Sequence, residues 1–370
     1  MNETRVCSAC GATLTDETAK WFDGEILCEH CFESQTVLCD CCSRRIWRDD
    51  AEGDDSVTLC VGCFEDYYIT CEECGRLIHR EDAYYEDDDD EYGYCYNCHQ
   101  HRSCRAIRAY GHKPEPIFYG SGNLFMGVEL EIDHGGEVDA NARKLLDIGN
   151  PSRERIYCKH DGSLHDGFEI VSHPMTLQYH TDEMNWKEVF TKAREMHYTS
   201  HNSGTCGLHI HCSRRAFGED EAMQETVIGR IVYFVEKHWS ELVRFSRRTS
   251  DTLDRWAARY ATISNTTKET YQKAKAKRMG RYVAVNLENY ETIEFRLFRG
   301  TLRHETFIAT LQLVEEICTL ALAMSDKELE LLPWSDFVLR IDRESKAELI
   351  RYLKARQLYV NEPESENEEV

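Results

Sequence analysis

Thr205-Cys-Gly-Leu-His-Ile-His-Cys-Ser213 alternates Leu208, Ile210 and Cys212 with His209, His211 and Ser213. A period of two marks a half-buried strand, and side chains at i and i+2 share a face. Both imidazoles therefore point to one side, opposite the apolar set. Two neutral imidazoles aimed into one space suit a metal ion or a polyphosphate.

Two further stretches repeat the pattern. Gly127-Val-Glu-Leu-Glu-Ile-Asp133 places Val128, Leu130 and Ile132 on one face and Glu129, Glu131 and Asp133 on the other. Thr292-Ile-Glu-Phe-Arg-Leu-Phe298 sets Ile293, Phe295 and Leu297 against Glu294 and Arg296. A sheet with one wet face is the plain account of each strand. A polar cleft holding hard cations between carboxylates and imidazoles accounts for all three together.

The chain has 370 residues, enough for two or three domains and a sizeable core. It shows no apolar run of membrane-spanning length and no signal-peptide pattern, so a cytoplasmic protein without a membrane partner is expected. The net charge of −23 is uneven. Residues 1–99 hold 25 acidic and 7 basic side chains, the tail 362–370 holds five Glu, and 100–361 balances at 37 against 37. An acidic front end repels phosphate backbones, so no nucleic-acid partner is expected there.

Twelve of the 18 cysteines form six C-x2-C pairs. Cys7, Cys10, Cys28 and Cys31 make a first module; Cys39, Cys42, Cys60 and Cys63 a second; Cys71, Cys74, Cys95 and Cys98 a third. The module starts are 32 residues apart. Two such turns supply a closed tetrahedral Zn²⁺ site, and three copies in phase predict three structural zinc ions. Disulfides are disfavoured in a chain without a secretion signal. So short a module buries too little to fold alone, and zinc supplies about 10–16 kcal/mol per site. Trp21, Phe22, Phe32, Phe64, Tyr67 and Tyr68 are expected to pack on the metal cores. The modules look like treble-clef or LIM-type fingers. Cys41, inside the second module's first knuckle, leaves its ligand register open. The acidic run Asp87–Asp90 reads as a solvated loop, with a divalent-cation site as the alternative.

The expected boundaries are modules at 1–36, 37–68 and 69–100, a linker at 101–120, a large domain at 121–361 and a disordered acidic tail at 362–370. His99, His101 and Cys104 read as linker residues or as a fourth metal site. In the large domain, helices are expected at Ala140–Leu146, Asn185–His197, Glu219–Phe245, Glu305–Met324 and Glu344–Leu358. A strand is expected at Gly167–Ser172, and a hairpin over 281–299 turning near Glu288–Glu291. Asp161 and Glu169 are further candidates for the cleft, although Asp161-Gly162 also reads as a simple turn. The basic segment Arg244–Arg281 is an exposed helix or a cover over phosphates.

The ordered set Lys113-Pro-Glu-Pro116, Gly127-Val-Glu-Leu-Glu131, Asp161-Gly-Ser-Leu164, Glu169-Ile-Val-Ser172, Cys206-Gly-Leu-His-Ile-His211, Asn286-Leu287 and Thr292-Ile-Glu-Phe-Arg296 resembles the amidoligase family. That family, widespread in phages and bacteria, is related to glutamine synthetase and glutamate–cysteine ligase. The resemblance covers about residues 105–325 and leaves out the zinc modules. It implies an α+β fold: an antiparallel-sheet, glutamine-synthetase-like ligase domain, here preceded by the three small four-cysteine modules. It implies an ATP-dependent, ADP-forming ligase that joins a carboxylate to an amine through an acyl phosphate, with Mg²⁺ or Mn²⁺ on the concave sheet face. By resemblance Glu129, His209 and Glu294 would hold the ion on the ATP phosphates, and Glu131, Asp161 and Glu169 a second ion. His211 would contact a phosphate. Arg296, with Arg299 or Arg281, would neutralise the transferring group. The zinc array is expected to dock a protein partner or substrate. The rival readings are a metal-dependent hydrolase using the His-x-His strand and a non-enzymatic adaptor with a decayed ligase domain.

Overall fold

The computed structural model describes residues 5–54, 56–72, 74–85, 93–103, 105–201 and 203–360, with backbone alone for 100–103. The chain divides into two compact units, Met1–Arg105 and Ala106–Val370. The acidic run 86–91, the tail 362–370, Cys104 and the His101 side chain lie outside the described residues.

The first unit repeats one design three times. A short hairpin carries the first cysteine pair in its turn, as in Arg5–Val6 with Thr13–Leu14 and Thr36–Leu38 with Arg45–Trp47. After the second cysteine the chain passes through left-handed backbone at Gly11 (φ 74°), Ser43 (φ 59°) and Gly75 (φ 70°). The amide of each of these residues donates to the first cysteine's carbonyl, at 2.9, 2.8 and 2.9 Å. Glycine takes that conformation without strain, which explains two of the three positions. A second hairpin, Ala19–Phe22 with Glu25–Cys28 or Glu52–Asp54 with Val57–Leu59, leads to a short helix bearing the last cysteine. The third module reduces that hairpin to the pair Tyr84–Tyr94. Phe22, Phe32, Phe64 and Tyr68 pack on the small cores as expected. Trp21 and Tyr67 instead face solvent, 61% and 48% exposed. Strand alternation turns Trp21 outward when Phe22 turns in.

In the second unit seven strands form one sheet among the described residues: β1 (Ile107–Arg108), β2 (Met126–Ile132), β3 (Ile156–Lys159), β4 (Phe168–Ser172), β5 (Gly207–Ser213), β6 (Val285–Asn286) and β7 (Thr292–Arg299). Their order is β1-β3-β4-β2-β5-β7-β6. Every pairing is antiparallel except β1 with β3. The architecture is α+β. The stretch read as linker thus supplies an edge strand, with Ile107 buried, and Tyr119 bridges to Met175.

One face of the sheet is fully buried: Val128, Leu130, Ile132, Ile170, Leu208, Ile210, Ile293 and Phe295 all have no exposure. The helix His304–Ala323 packs there, its Cys318 sulfur 4.0 Å from that of Cys212. That helix is long and apolar enough to cross a membrane, but 67% of its apolar window is buried in the core. The predicted helix at Glu219–Phe245 is two, Glu221–Lys237 and Trp239–Ser246, broken at His238. His238 is buried, and its ring packs on Phe234 and Trp334 at 4.6 and 5.6 Å. Register places the other face's side chains. Glu129 is the Cα partner of His209, Glu131 of Glu169, Lys159 of Glu169, and His211 of Glu294. Directly opposed residues share a face, so the charged and imidazole groups of five strands gather on the side away from the core.

Candidate functional site

Glu129 lies at the middle of this polar face. One carboxylate oxygen is 3.6 Å from His209 Nδ1, and the other is 3.4 Å from His211 Nε2. Glu294 Oε1 is 3.6 Å from the same His209 nitrogen and 3.9 Å from His211 Nε2. Lys159 Nζ stands 3.3 Å from Glu169 and 3.8 Å from Glu129. Asn286 donates to Glu294 at 2.8 Å, and Arg296 pairs with Glu294. Glu131 accepts from the Gly207 amide and lies 3.9 Å from His209 Nε2.

His209 and Glu131 are 4% and 5% exposed, yet His209 Nδ1 and His211 Nε2 make no hydrogen bond among the described residues. Orphaned buried nitrogens facing carboxylate oxygens call for a further group between them. Donor atoms of Glu129, Glu169 and His209 all lie within 4.8 Å of one another. Carboxylate oxygens with one imidazole suit Mg²⁺ or Mn²⁺, so the residues fit a hard divalent cation.

The electrostatics are divided within the cluster. Burial raises Glu169 and the Glu129 charge raises it further, well above the usual carboxylate range. Burial also acts on Glu129, but His211, His209 and Lys159 outweigh it and hold that carboxyl well below its usual value. Glu294 is lowered in the same way, with His211, His209 and Arg296 outweighing burial. Lys159 resists the effect of burial and rises to about 12 under Glu129 and Glu169.

The cysteine clusters have a different chemistry. Sγ of Cys10 and Cys28 are 3.8 Å apart, those of Cys42 and Cys60 3.9 Å, and those of Cys74 and Cys95 3.9 Å. A tetrahedron of thiolates at zinc–sulfur distances of about 2.3 Å has an edge of about 3.8 Å. The converging set in the second module is Cys39, Cys42, Cys60 and Cys63, and Cys41 is exposed. The Cys28 amide donates to Cys7, lowering that thiol to about 6, while the thiols of Cys28 and Cys10 push Cys31 up to about 12. Four thiols this close cannot all ionise without a cation.

Several predicted residues stand elsewhere. Asp133 stands just past the end of β2 and outside the cleft. It is fully buried and accepts from the amides of His134, Asp166 and His165 and from the Thr205 hydroxyl, at 2.9, 2.8, 3.2 and 3.0 Å. Those donors outweigh burial and hold it at about 2. Asp161 Oδ1 accepts from Ser163 N at 2.7 Å and closes the turn, and its charge adds to those that raise Glu169. Arg281 is held by the hydroxyls of Tyr110 and Tyr282 at 2.8 and 2.9 Å. The Tyr282 ring lies 5.6 Å from the Arg296 guanidinium, which places Arg281 at the rim. Arg299 leaves the cluster for a separate cavity. Lys159 and Arg248 had no sequence pattern to announce them. Arg248 is buried, which lowers it to about 10 against the pull of Glu131. It sits so close to Gly207 that a Cβ there would fall 2.3 Å from Nη2.

No curated protein matches the chain by sequence. Residues 149–318 match the family model described as "Putative amidoligase enzyme". Among solved structures the chain is similar to a bifunctional glutathione synthetase from Pasteurella multocida, at 12% identity and a TM-score of 0.30. That match covers 65% of this chain and 45% of the other, so it spans less than half of that protein's length. A likeness at that level carries no argument about function. The likeness to the amidoligase family is carried by the large unit, over the stretch that holds Lys159, Glu169, His209, His211, Glu294 and Arg296.

Proposed function

We propose that the large unit is an ATP-dependent carboxylate–amine ligase that releases ADP and phosphate, and that the zinc modules dock a protein partner or substrate. The observation that carries the reading is the Glu129 carboxylate, shared between His209 and His211 on a face that also gathers Glu169, Glu294, Lys159 and Arg296.

Glu129, Glu169, Glu294 and His209 would hold Mg²⁺ or Mn²⁺, which neutralises phosphate charge when bound. An oxygen of the substrate carboxylate attacks the γ-phosphorus, the bond from that phosphorus to the β-bridging oxygen breaks, and ADP leaves. The amine then attacks the acyl carbon, phosphate departs and the amine proton is lost. Arg296 and Lys159 supply positive charge where the phosphoryl group transfers, a step that depends mostly on positioning and charge. Arg281 stands at the rim of the same face, at the distance of one aromatic ring from Arg296.

The test is nucleotide turnover by the full chain with Mg-ATP or Mn-ATP, with and without panels of carboxylates and amines. ADP release that requires both a carboxylate and the divalent ion supports the reading. Hydrolysis of amides or esters without ATP would favour a metal-dependent hydrolase. Failure to bind nucleotide at all would favour a zinc adaptor.

A further inference from the structure

A cavity of about 580 Å³ opens where β5 begins and β7 ends. Arg194, Arg247, Arg299, Arg303, His197 and His201 line it, and among the described residues no Asp or Glu does. Arg303 is paired with Glu305 at 3.5 Å, and Arg194 donates to Thr191 at 3.1 Å. The uncompensated charge belongs to Arg247 and Arg299, which pair with no carboxylate among the described residues. Burial, then Arg247 and Arg356, hold the Arg299 guanidinium below its usual value. His201 is lowered by burial and then by Arg299 and Arg247. Like charges gathered in a hollow repel one another, and an anion between them relieves the repulsion. Guanidinium groups also match a carboxylate with paired hydrogen bonds.

The place of the cavity ties it to the cleft. Arg299 is the Cα partner of Gly207, whose amide donates to Glu131. Arg247 lines the cavity, while the next residue, Arg248, reaches Gly207 and feels the Glu131 charge on the cleft side. The cavity therefore adjoins the Glu131 end of the carboxylate–imidazole cluster. Its volume suits a small molecule rather than a single ion.

We propose that this cavity seats a second, non-reacting carboxylate of the substrate, so that the acid ligated is a di- or polycarboxylate lying between Arg247 and Arg299 at one end and the Glu129 cluster at the other. This rests on the ligase reading for the role of the reacting end only. The anion seat can be measured without nucleotide.

The experiment is calorimetric titration of the full-length zinc-loaded protein, free of ATP and Mg²⁺, with glutarate, its neutral diamide glutaramide, and inorganic phosphate. Glutarate should bind, and glutaramide should not. Arg299→Gln and Arg247→Gln should each weaken glutarate by about tenfold or more, the scale of a lost charge-assisted hydrogen bond. Arg303→Gln, at the exposed mouth, should weaken it several-fold and serves if an Arg299 variant fails to fold. Arg215→Gln, an exposed arginine outside the cavity, should leave glutarate binding intact and controls for the loss of one positive charge. Equal binding of glutaramide, or glutarate binding unchanged in the arginine variants, overturns the proposal. Phosphate binding in place of glutarate overturns the carboxylate assignment. Loss of ATP turnover with glutarate binding retained would sink the ligase reading and leave the anion seat standing.

Discussion

Glu129 and His209 are Cα partners across neighbouring antiparallel strands, and the carboxylate reaches to 3.6 Å from Nδ1, a buried nitrogen with no hydrogen bond among the described residues. The strand register therefore builds this cluster directly. Glu129→Gln keeps the shape and removes the charge that His211 and Lys159 face. We predict a fall in ATP turnover of about two orders of magnitude or more, with little change in melting temperature. A large drop in melting temperature with turnover per folded molecule retained would assign Glu129 to the fold instead.

Gly207 offers a second probe of the same cluster. A Cβ there would lie 2.3 Å from Arg248 Nη2 and 2.7 Å from His209 Nε2. Both are ends of side chains in the cluster, and both must move. Gly207→Ala should lower turnover by about tenfold or more by displacing His209, while the protein still folds. Unchanged kinetics would show that His209 need not stand where it does.

The Asp133 carboxyl sits at about 2 against an ordinary value of 3.8, so its charge stabilises the fold. The sign follows from the depressed value: the contribution is present above a pH of about 4 and is lost as the pH falls toward 2. It amounts to about 2 kcal/mol. Asp133→Asn should lower the melting temperature at neutral pH and lose much of that difference from the parent near pH 2. ATP turnover per folded molecule should be largely kept, as measured by paired thermal melts and kinetics. Turnover lost without any thermal shift would return Asp133 to the cleft.

How these groups divide explains what could be read from the chain alone. Alternation in Gly127–Asp133, Thr205–Ser213 and Thr292–Phe298 shows which side chains share a face, and the structure gathers Glu129, Glu131, His209, His211, Glu294 and Arg296 on one. The cysteine spacing shows the modules equally well, because the ligands are local in sequence. Periodicity does not say where a strand ends. Asp133 stands just past β2, where loop amides surround it, so its face no longer matters. Lys159 ends an edge-side strand of four residues, too short for a period to register. Arg248 and Arg299 are sorted by a β-bulge between Leu208 and Ile210 and by a helix end at Arg247, features that only the folded chain displays.

Zinc content tests the first unit. Three clusters with sulfur spacings of 3.8–3.9 Å predict three Zn²⁺ per chain by elemental analysis. Cys28→Ser should lower that to two, with its own module unfolding and turnover by the large unit retained. One zinc or none in the parent protein would contradict the assignment.

The proposed ligation requires that a carboxylate be activated by the γ-phosphate of ATP. Hydroxylamine traps an acyl phosphate as a hydroxamate even when the natural amine is unknown. The decisive measurement is hydroxamate and nucleotide product together, with Mn-ATP or Mg-ATP, hydroxylamine and a panel of mono-, di- and polycarboxylates. We predict hydroxamate matched mole for mole by ADP, and both lost in Glu129→Gln and Arg296→Ala. AMP as the nucleotide product, or ADP formed with no hydroxamate across the panel, would contradict it.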